Sequence, residues 1–294
     1  MHSWRGPSQI ELLRINPVKL FVDSRFRRDG TNSEFSFALP RPIEVNKPYR
    51  AMVDQVHIPH VWTTINTYNQ AVYMQEIFNT VVNQRKLYLT IKQYSGNTLA
   101  TELQAQLNAG TFLPQNAYSV TFDAEQGKLV VALTAQGATA RFFPMSFLLE
   151  AGSGFFEDND TGEGVVANDS ADHVIGLTHH TSVSSFDGPG GVSFEHVSMN
   201  PFHTLYLHCD SGMGTGDDAV GPLGNGTILR SLPVTSVYGS IMHDLSLNPH
   251  DFTLVNPGQL QTFRFRLADS LGRSVPLSMP FSFSILLSAV DELE

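Results

Sequence analysis

Apolar and polar positions alternate along much of this chain, most clearly in its last quarter. There the sequence reads Leu260-Gln-Thr-Phe-Arg-Phe-Arg-Leu267, turns through Asp269 and Gly272, and resumes as Pro280-Phe-Ser-Phe-Ser-Ile-Leu-Leu287. A period of two sends successive side chains to opposite faces of a strand, so one face is buried and the other is wetted or paired. The second run stops within a few residues of the last position, which places the terminal segment inside a sheet. That favours a closed all-β architecture over one built from βαβ units.

Further runs rich in β-formers are expected as strands at 18–22, 34–39, 49–58, 86–92, 118–122, 128–133, 192–197, 204–209, 227–232 and 236–242. A single stretch has helical period. Leu99, Leu103 and Leu107 fall on one stripe, with Thr98 as N-cap, Glu102 in the first turn and Asn108-Ala-Gly110 as a stop. Residues 1–16 show no sustained period and read as an arm. Residues 152–191 and 212–226 are rich in glycine and read as loops. The expectation is one β-sandwich over 17–294, with about a dozen strands and a helix-bearing insertion at about 86–152.

Composition sharpens this picture. Charged residues make up 16% of the 294 positions, against roughly 25% in an ordinary soluble protein, and phenylalanine occurs 20 times. A chain so poor in charge is expected to cover much of its surface with partners, with a bland neutral monomer as the alternative. The charge is also uneven. Residues 1–50 hold nine Lys/Arg against five acids, whereas the rest holds nine against 23. An acidic body is repelled by polyphosphate, so direct nucleic-acid binding is not expected. The single cysteine, Cys209, rules out an intramolecular disulfide framework and suits a reducing compartment. No secretory h-region and no run of about 18 apolar residues is visible. The sequons at Asn168 and Asn225 therefore carry little weight.

Candidate chemistry is thin. Among 11 histidines the nearest pairs are His57 with His60 and His179 with His180. Zinc needs three or four converging ligands, and His57 and His60 bracket a strand-ending proline, which is poor ligand geometry. The acidic run from Glu157 to Gly164 resembles part of a calcium loop, with Asp158 and Asp160 in place, but at the twelfth place Asp169 replaces the bidentate glutamate. Glu163 also stands where the sharp turn needs glycine. The glycines of 212–218 are followed by no P-loop lysine, and no Gly-x-Ser-x-Gly elbow occurs. Cys209 sits in an alternating run and reads as a packed thiol. No metal, cofactor or catalytic residue is expected, and the chain reads as a non-enzyme.

Five blocks, in order, carry a family resemblance. They are Phe21-Val-Asp-Ser-Arg25 with Asn32 to Leu39; Val56-His-Ile-Pro-His-Val-Trp62 with Ile65-Asn66; Ser95 to Leu103; Tyr118 to Asp123 with Gly127-Lys-Leu; and Phe263 to Gly272 with Phe281-Ser-Phe-Ser-Ile. This order resembles the penton and minor capsid jelly-roll proteins of double-stranded DNA viruses of the virophage, polinton-like and large nucleocytoplasmic kinds. The loops at 152–191 and 212–226 lie outside the match. The resemblance implies an all-β jelly-roll capsid subunit of the virion without catalytic residues. One roll in 294 residues suits a penton, a homopentamer at the icosahedral vertex beside the major capsid protein and other minor capsid proteins. A minor capsid (cement) protein is the alternative within the class. A carbohydrate- or receptor-binding β-sandwich is the alternative outside it, and the presence of only two tryptophans counts against that. Trp4 and Arg5 of the arm and the cluster Arg25, Arg27 and Arg28 are the expected subunit contacts.

Overall fold

The computed structural model describes residues 17–45, 48–114, 116–144, 169–177, 184–211, 213, 227–246, 252–255 and 257–289. The chain divides into two compact units, Met1–Trp62 with Phe202–Glu294, and Thr63–Pro201.

The first unit is a jelly roll. One sheet runs β1 (Val18–Asp23), β17 (Ser282–Ala289), β4 (Tyr49–Pro59) and β14 (Ile241–Leu245), with the short β15 (Thr253–Val255) also on β4. The other runs β13 (Thr227–Pro233), β12 (Thr204–Ser211), β16 (Gly258–Ala268), β3 (Glu34–Val45) and the two-residue β2 (Asp29–Gly30). Every pairing in both sheets is antiparallel. Apart from the β12–β13 hairpin, consecutive long strands change sheet, which is the double Greek key of this fold.

The alternation read in the last quarter builds the core. Phe263 and Phe265 point inward from β16, and Phe283 points inward from β17 beside Phe281. Phe265 meets Phe283 edge-on across the sandwich at 4.9 Å, and Phe35 of β3 joins both layers at 5.8–5.9 Å from Phe281 and Phe265. Tilted and T-shaped pairs of this kind add about 0.5–1.5 kcal/mol each beyond their burial. β17 lies between β1 and β4, so the terminal run does enter the sheet. The turn between β16 and β17 is held by Asp269, whose carboxylate accepts from Leu271 N, Arg273 N and Arg273 Nε, with Gly272 at φ 75°. A β-bulge leaves Asp54 unpaired between Gln55 and Val53. Its carboxylate takes Lys19 of β1 and Ser284 of β17, and the Lys19 contact holds its pKa below the ordinary carboxylate range.

The second unit has its own core. A four-stranded sheet runs β10 (Ser184–Asp187), β9 (Ala138–Phe143), β5 (Ala71–Phe78) and β6 (Val81–Tyr88). A three-stranded sheet runs β11 (Gly190–His196), β8 (Lys128–Leu133) and β7 (Tyr118–Asp123). Helix α1 spans Gly96–Asn108 and buries Leu99, Leu103 and Leu107, as expected from the leucine stripe. Its N-cap is Ser95 rather than Thr98. Thr98 occupies N3 and closes a reciprocal capping box with Ser95. At the other end the Arg85 guanidinium donates to the carbonyls of Gln106, Leu107 and Ala109 and to Glu76 Oε1, at 2.5 Å for the carboxylate. Glu76 is fully buried and also accepts from Tyr118 and Thr111. Removing one partner of such a buried pair costs about 3–5 kcal/mol.

The second unit is wider than the excursion expected over 86–152. β5 was not anticipated because six of its eight residues are buried, on both faces, and show no alternation. β6 begins at Val81 rather than near 86, and β9 was also missed. Part of 152–191, read as loop, is ordered: a short helical turn α2 (Asp172–Ile175), β10 and the start of β11. The run expected at 236–242 begins as a turn, and the strand itself is Ile241–Leu245. No helix among the described residues is long and apolar enough to cross a membrane.

Candidate assembly surfaces

The basic cluster lies at the end of β1. Asp23 caps a 3-10 turn over Ser24–Phe26 by accepting from Arg25 N at 2.9 Å, and buried Ser24 anchors that turn to Phe281 through two hydrogen bonds of 3.0 Å. Arg25 folds back onto Asp23, donating through Nε at 2.9 and 3.0 Å and through Nη2 at 2.5 Å. The pairing lowers the Asp23 pKa and raises that of Arg25. Arg27 donates to Ser24 O, Gly30 O and Asn32 Oδ1, and so closes the loop locally. Arg28 is exposed, and among the described residues its side chain has no hydrogen-bond or ion-pair partner. Beside them Phe26 is 73% exposed. Trp4 and Arg5 lie outside the described residues.

The outer faces of the two sheets differ sharply. On the β12–β16–β3 side the outward positions carry charge that is already paired. Arg264 reaches Glu34 at 2.6 Å, Arg266 holds Asp210 at 2.9 and 3.1 Å, and Ser274 donates to Glu34 at 3.0 Å. His208 of β12 is buried in this layer, and neither ring nitrogen has a hydrogen-bond partner among the described residues. Burial, and then the Arg266 charge, hold it below the ordinary histidine pKa.

The β1–β17–β4–β14 side is mixed, with exposed apolar groups set among the Lys19–Asp54 pair, Gln55, Ser284 and the two histidines His57 and His243. Phe21 (β1), Leu286 (β17), Met52 (β4), Leu254 (β15), and Ile241 and Leu245 (β14) all project outward by register. Phe21, Ile241, Leu245 and Leu254 are 56–69% exposed. Ser284 and Gln55 stand between Phe21 and Leu245 in register, so these apolar groups are spread over the face rather than joined in one patch, and several together suit a contact surface. Nothing in the sequence reading pointed to this face. Its trace in the sequence is apolar residues on both phases of a strand, as in β1, where Leu20 and Val22 are inward and Phe21 outward, and in β14, where Met242 is inward and Ile241 and Leu245 are outward.

The residues weighed for chemistry are dispersed. His60 stacks on Trp62 at 4.1 Å, and its Nδ1 lies 2.9 Å from Ser236 O. His57 pairs not with His60 but with His243 of β14, Nδ1 to Nδ1 at 2.6 Å. Burial, and then His243, lower its pKa. Asp169 accepts from Tyr73 at 2.7 Å and pairs with Lys86 at 2.9 Å, while burial pushes the Tyr73 phenol up to about 12. The remaining acids of the calcium-like run and His179-His180 lie outside the described residues. Cys209 is a buried thiol in β12. Among the described residues, no group of three or more His, Cys, Asp or Glu gathers as a metal site.

No protein-family model and no curated protein matches the chain. Solved structures do. The crystal structure of a mavirus penton protein aligns over 94% of this chain and 99% of that one, with TM-score 0.52 and 9% identity. The Sputnik virophage structure, from cryo-EM at 3.5 Å, aligns over 93% of this chain and 98% of that one, with TM-score 0.43 and 12% identity. At 9% identity the penton match establishes a shared fold.

Proposed function

We propose that this chain is a structural capsid subunit of an icosahedral double-stranded DNA virus, placed in the virion as the vertex penton and assembled as a homopentamer. The observation that carries this reading is the near end-to-end correspondence with a penton protein, 94% of one chain on 99% of the other. Thr63–Pro201 then counts as an insertion into the connection between β4 and β12. The exposed apolar residues Phe21, Ile241, Leu245 and Leu254 on the outer side of the β1–β17–β4–β14 sheet support the reading. Five copies about an axis make head-to-tail contacts, and broad weakly charged surfaces suit them.

Arg28 is the member of the basic cluster we assign to an acidic neighbour, a major capsid protein or another minor capsid protein. Arg25 and Arg27 are committed to the turn. Trp4 and Arg5 of the arm are assigned the same kind of contact. Native mass measurement of the purified chain, with negative-stain imaging, tests the assembly, with a closed ring of five as the expected result. A chain that stays monomeric at high concentration overturns the penton assignment. Arg28→Glu tests the contact: attachment to neighbouring capsid proteins should weaken, and the salt dependence of that attachment should become shallower.

A further inference from the structure

β4 and β14 pair so that His57 stands directly opposite His243. Cross-strand partners project from the same face with their Cβ atoms about 4.5–5.5 Å apart. Here both rings stand on the outer side, while their neighbours Ile58 and Met242 are buried on the inner side and fix the register. The rings meet nearly at right angles, 80° between planes, and bring Nδ1 to within 2.6 Å of Nδ1. Two imidazoles can meet this way only if at least one presents a bare nitrogen lone pair. The point between them suits one small cation, either a proton or a metal ion.

We propose that His57 and His243 form a two-point chelating site for a borderline transition-metal dication of the Zn²⁺, Ni²⁺ or Cu²⁺ class. Imidazole is the side chain this class prefers. A tetrahedral ion about 2.0–2.1 Å from each nitrogen sets the two nitrogens about 3.3 Å apart. The observed 2.6 Å must widen by about 0.7 Å, which the exposed His243 can supply by turning about its side-chain bonds. In the free subunit the same exposure leaves the remaining coordination positions to water. His60 is not part of the pair: it is buried, with its ring stacked on Trp62 and its Nδ1 2.9 Å from Ser236 O. A bound ion would clasp β14, at the sheet edge, to β4 on this outer face.

The test uses the full chain, freed of metal by a chelator, titrated with ZnCl₂ in a calorimeter at pH 7.5 and with Co²⁺ followed by visible absorption. The expected result is one saturable equivalent in the wild type whose affinity drops at least about tenfold in either H57Q or H243Q. Affinity should also fall as pH drops through the imidazole range, because protons compete for the same lone pairs. Both positions face outward, so each variant should melt like the wild type in chelator, which separates loss of the site from loss of the fold. Ring-nitrogen NMR of the wild type is the second readout and needs no variant: two histidines should shift together on Zn²⁺ addition. Zn²⁺ uptake unchanged in the H57Q/H243Q double variant, no uptake by the wild type, or shifts confined to other histidines would each overturn the proposal.

Discussion

The two outer faces of the jelly roll rest on the same kind of strand and differ in how much apolar surface they leave exposed. Inward positions are interchangeable in character: Phe263 and Phe265 on one sheet, Phe283 and Ile285 on the other, all at most 2% exposed. Outward, the β12–β16–β3 sheet closes its charges on itself through Arg264 with Glu34 and Arg266 with Asp210. The β1–β17–β4–β14 sheet leaves Phe21, Ile241, Leu245 and Leu254 bare. Burial dictates the inner half of each strand, whereas the outer half is free to serve contact. A face whose polar groups are mutually satisfied gains little from a partner. Exposed apolar groups gain roughly 25 cal/mol for each Å² covered.

The largest expected effect breaks that asymmetry directly. Ile241→Asp combined with Leu245→Asp should abolish assembly while changing folding stability by less than about 0.5 kcal/mol, as surface substitutions usually do. Thr262→Asp, an exposed position on the opposite face, should leave assembly intact. Size-exclusion chromatography with light scattering compares the two, and equal loss in both variants would erase the distinction. Next in size is the core that both faces share. Phe265→Ala should cost about 3–5 kcal/mol in denaturant unfolding, and a cost under 1 kcal/mol would mean the two sheets do not rely on the aromatic cluster.

A smaller effect belongs to the charged face alone. Burial and Arg266 hold the His208 pKa below its unfolded value, with Asp210 opposing them. The unfolded chain therefore binds a proton first as pH falls below about 6.5, and stability present above that pH is progressively lost beneath it. His208→Leu should flatten the decline between pH 7 and pH 5. Unfolding midpoints measured at both pH values in both proteins isolate the contribution from those of the other histidines, and parallel declines would refute it. The smallest effect is expected at the ion pair on the same face. Asp210→Asn should cost less than about 1 kcal/mol, and less still in high salt, because the pair is partly exposed. A loss of several kcal/mol would show the charges holding the sheet together.

How much of this was legible depended on whether the signal was local. The alternating Phe-x-Phe runs announced β16 and β17 as strands with one buried face, because period two is written in consecutive positions. The leucine stripe announced α1 for the same reason. The N-cap was misplaced by three residues, since Ser95 and Thr98 both have a suitable hydroxyl and only the reciprocal box distinguishes them. β5 escaped because burial on both faces removes the alternation that would reveal it. Arg25, Arg27 and Arg28 looked equivalent as a charge cluster. Hydrogen bonds within the turn tie down the first two and leave the third outward.

By itself, then, the sequence determined an all-β chain with one substantial helix, rich in phenylalanine and poor in charge. Those properties follow from composition and short-range period. Tertiary structure alone decided which strands lie side by side, and therefore which outward residues meet. His57 faces His243 across 186 positions, and β1 lies against β17 from the far end of the chain. Such pairings are fixed by closing long loops around a shared core, and no window of consecutive residues contains both partners.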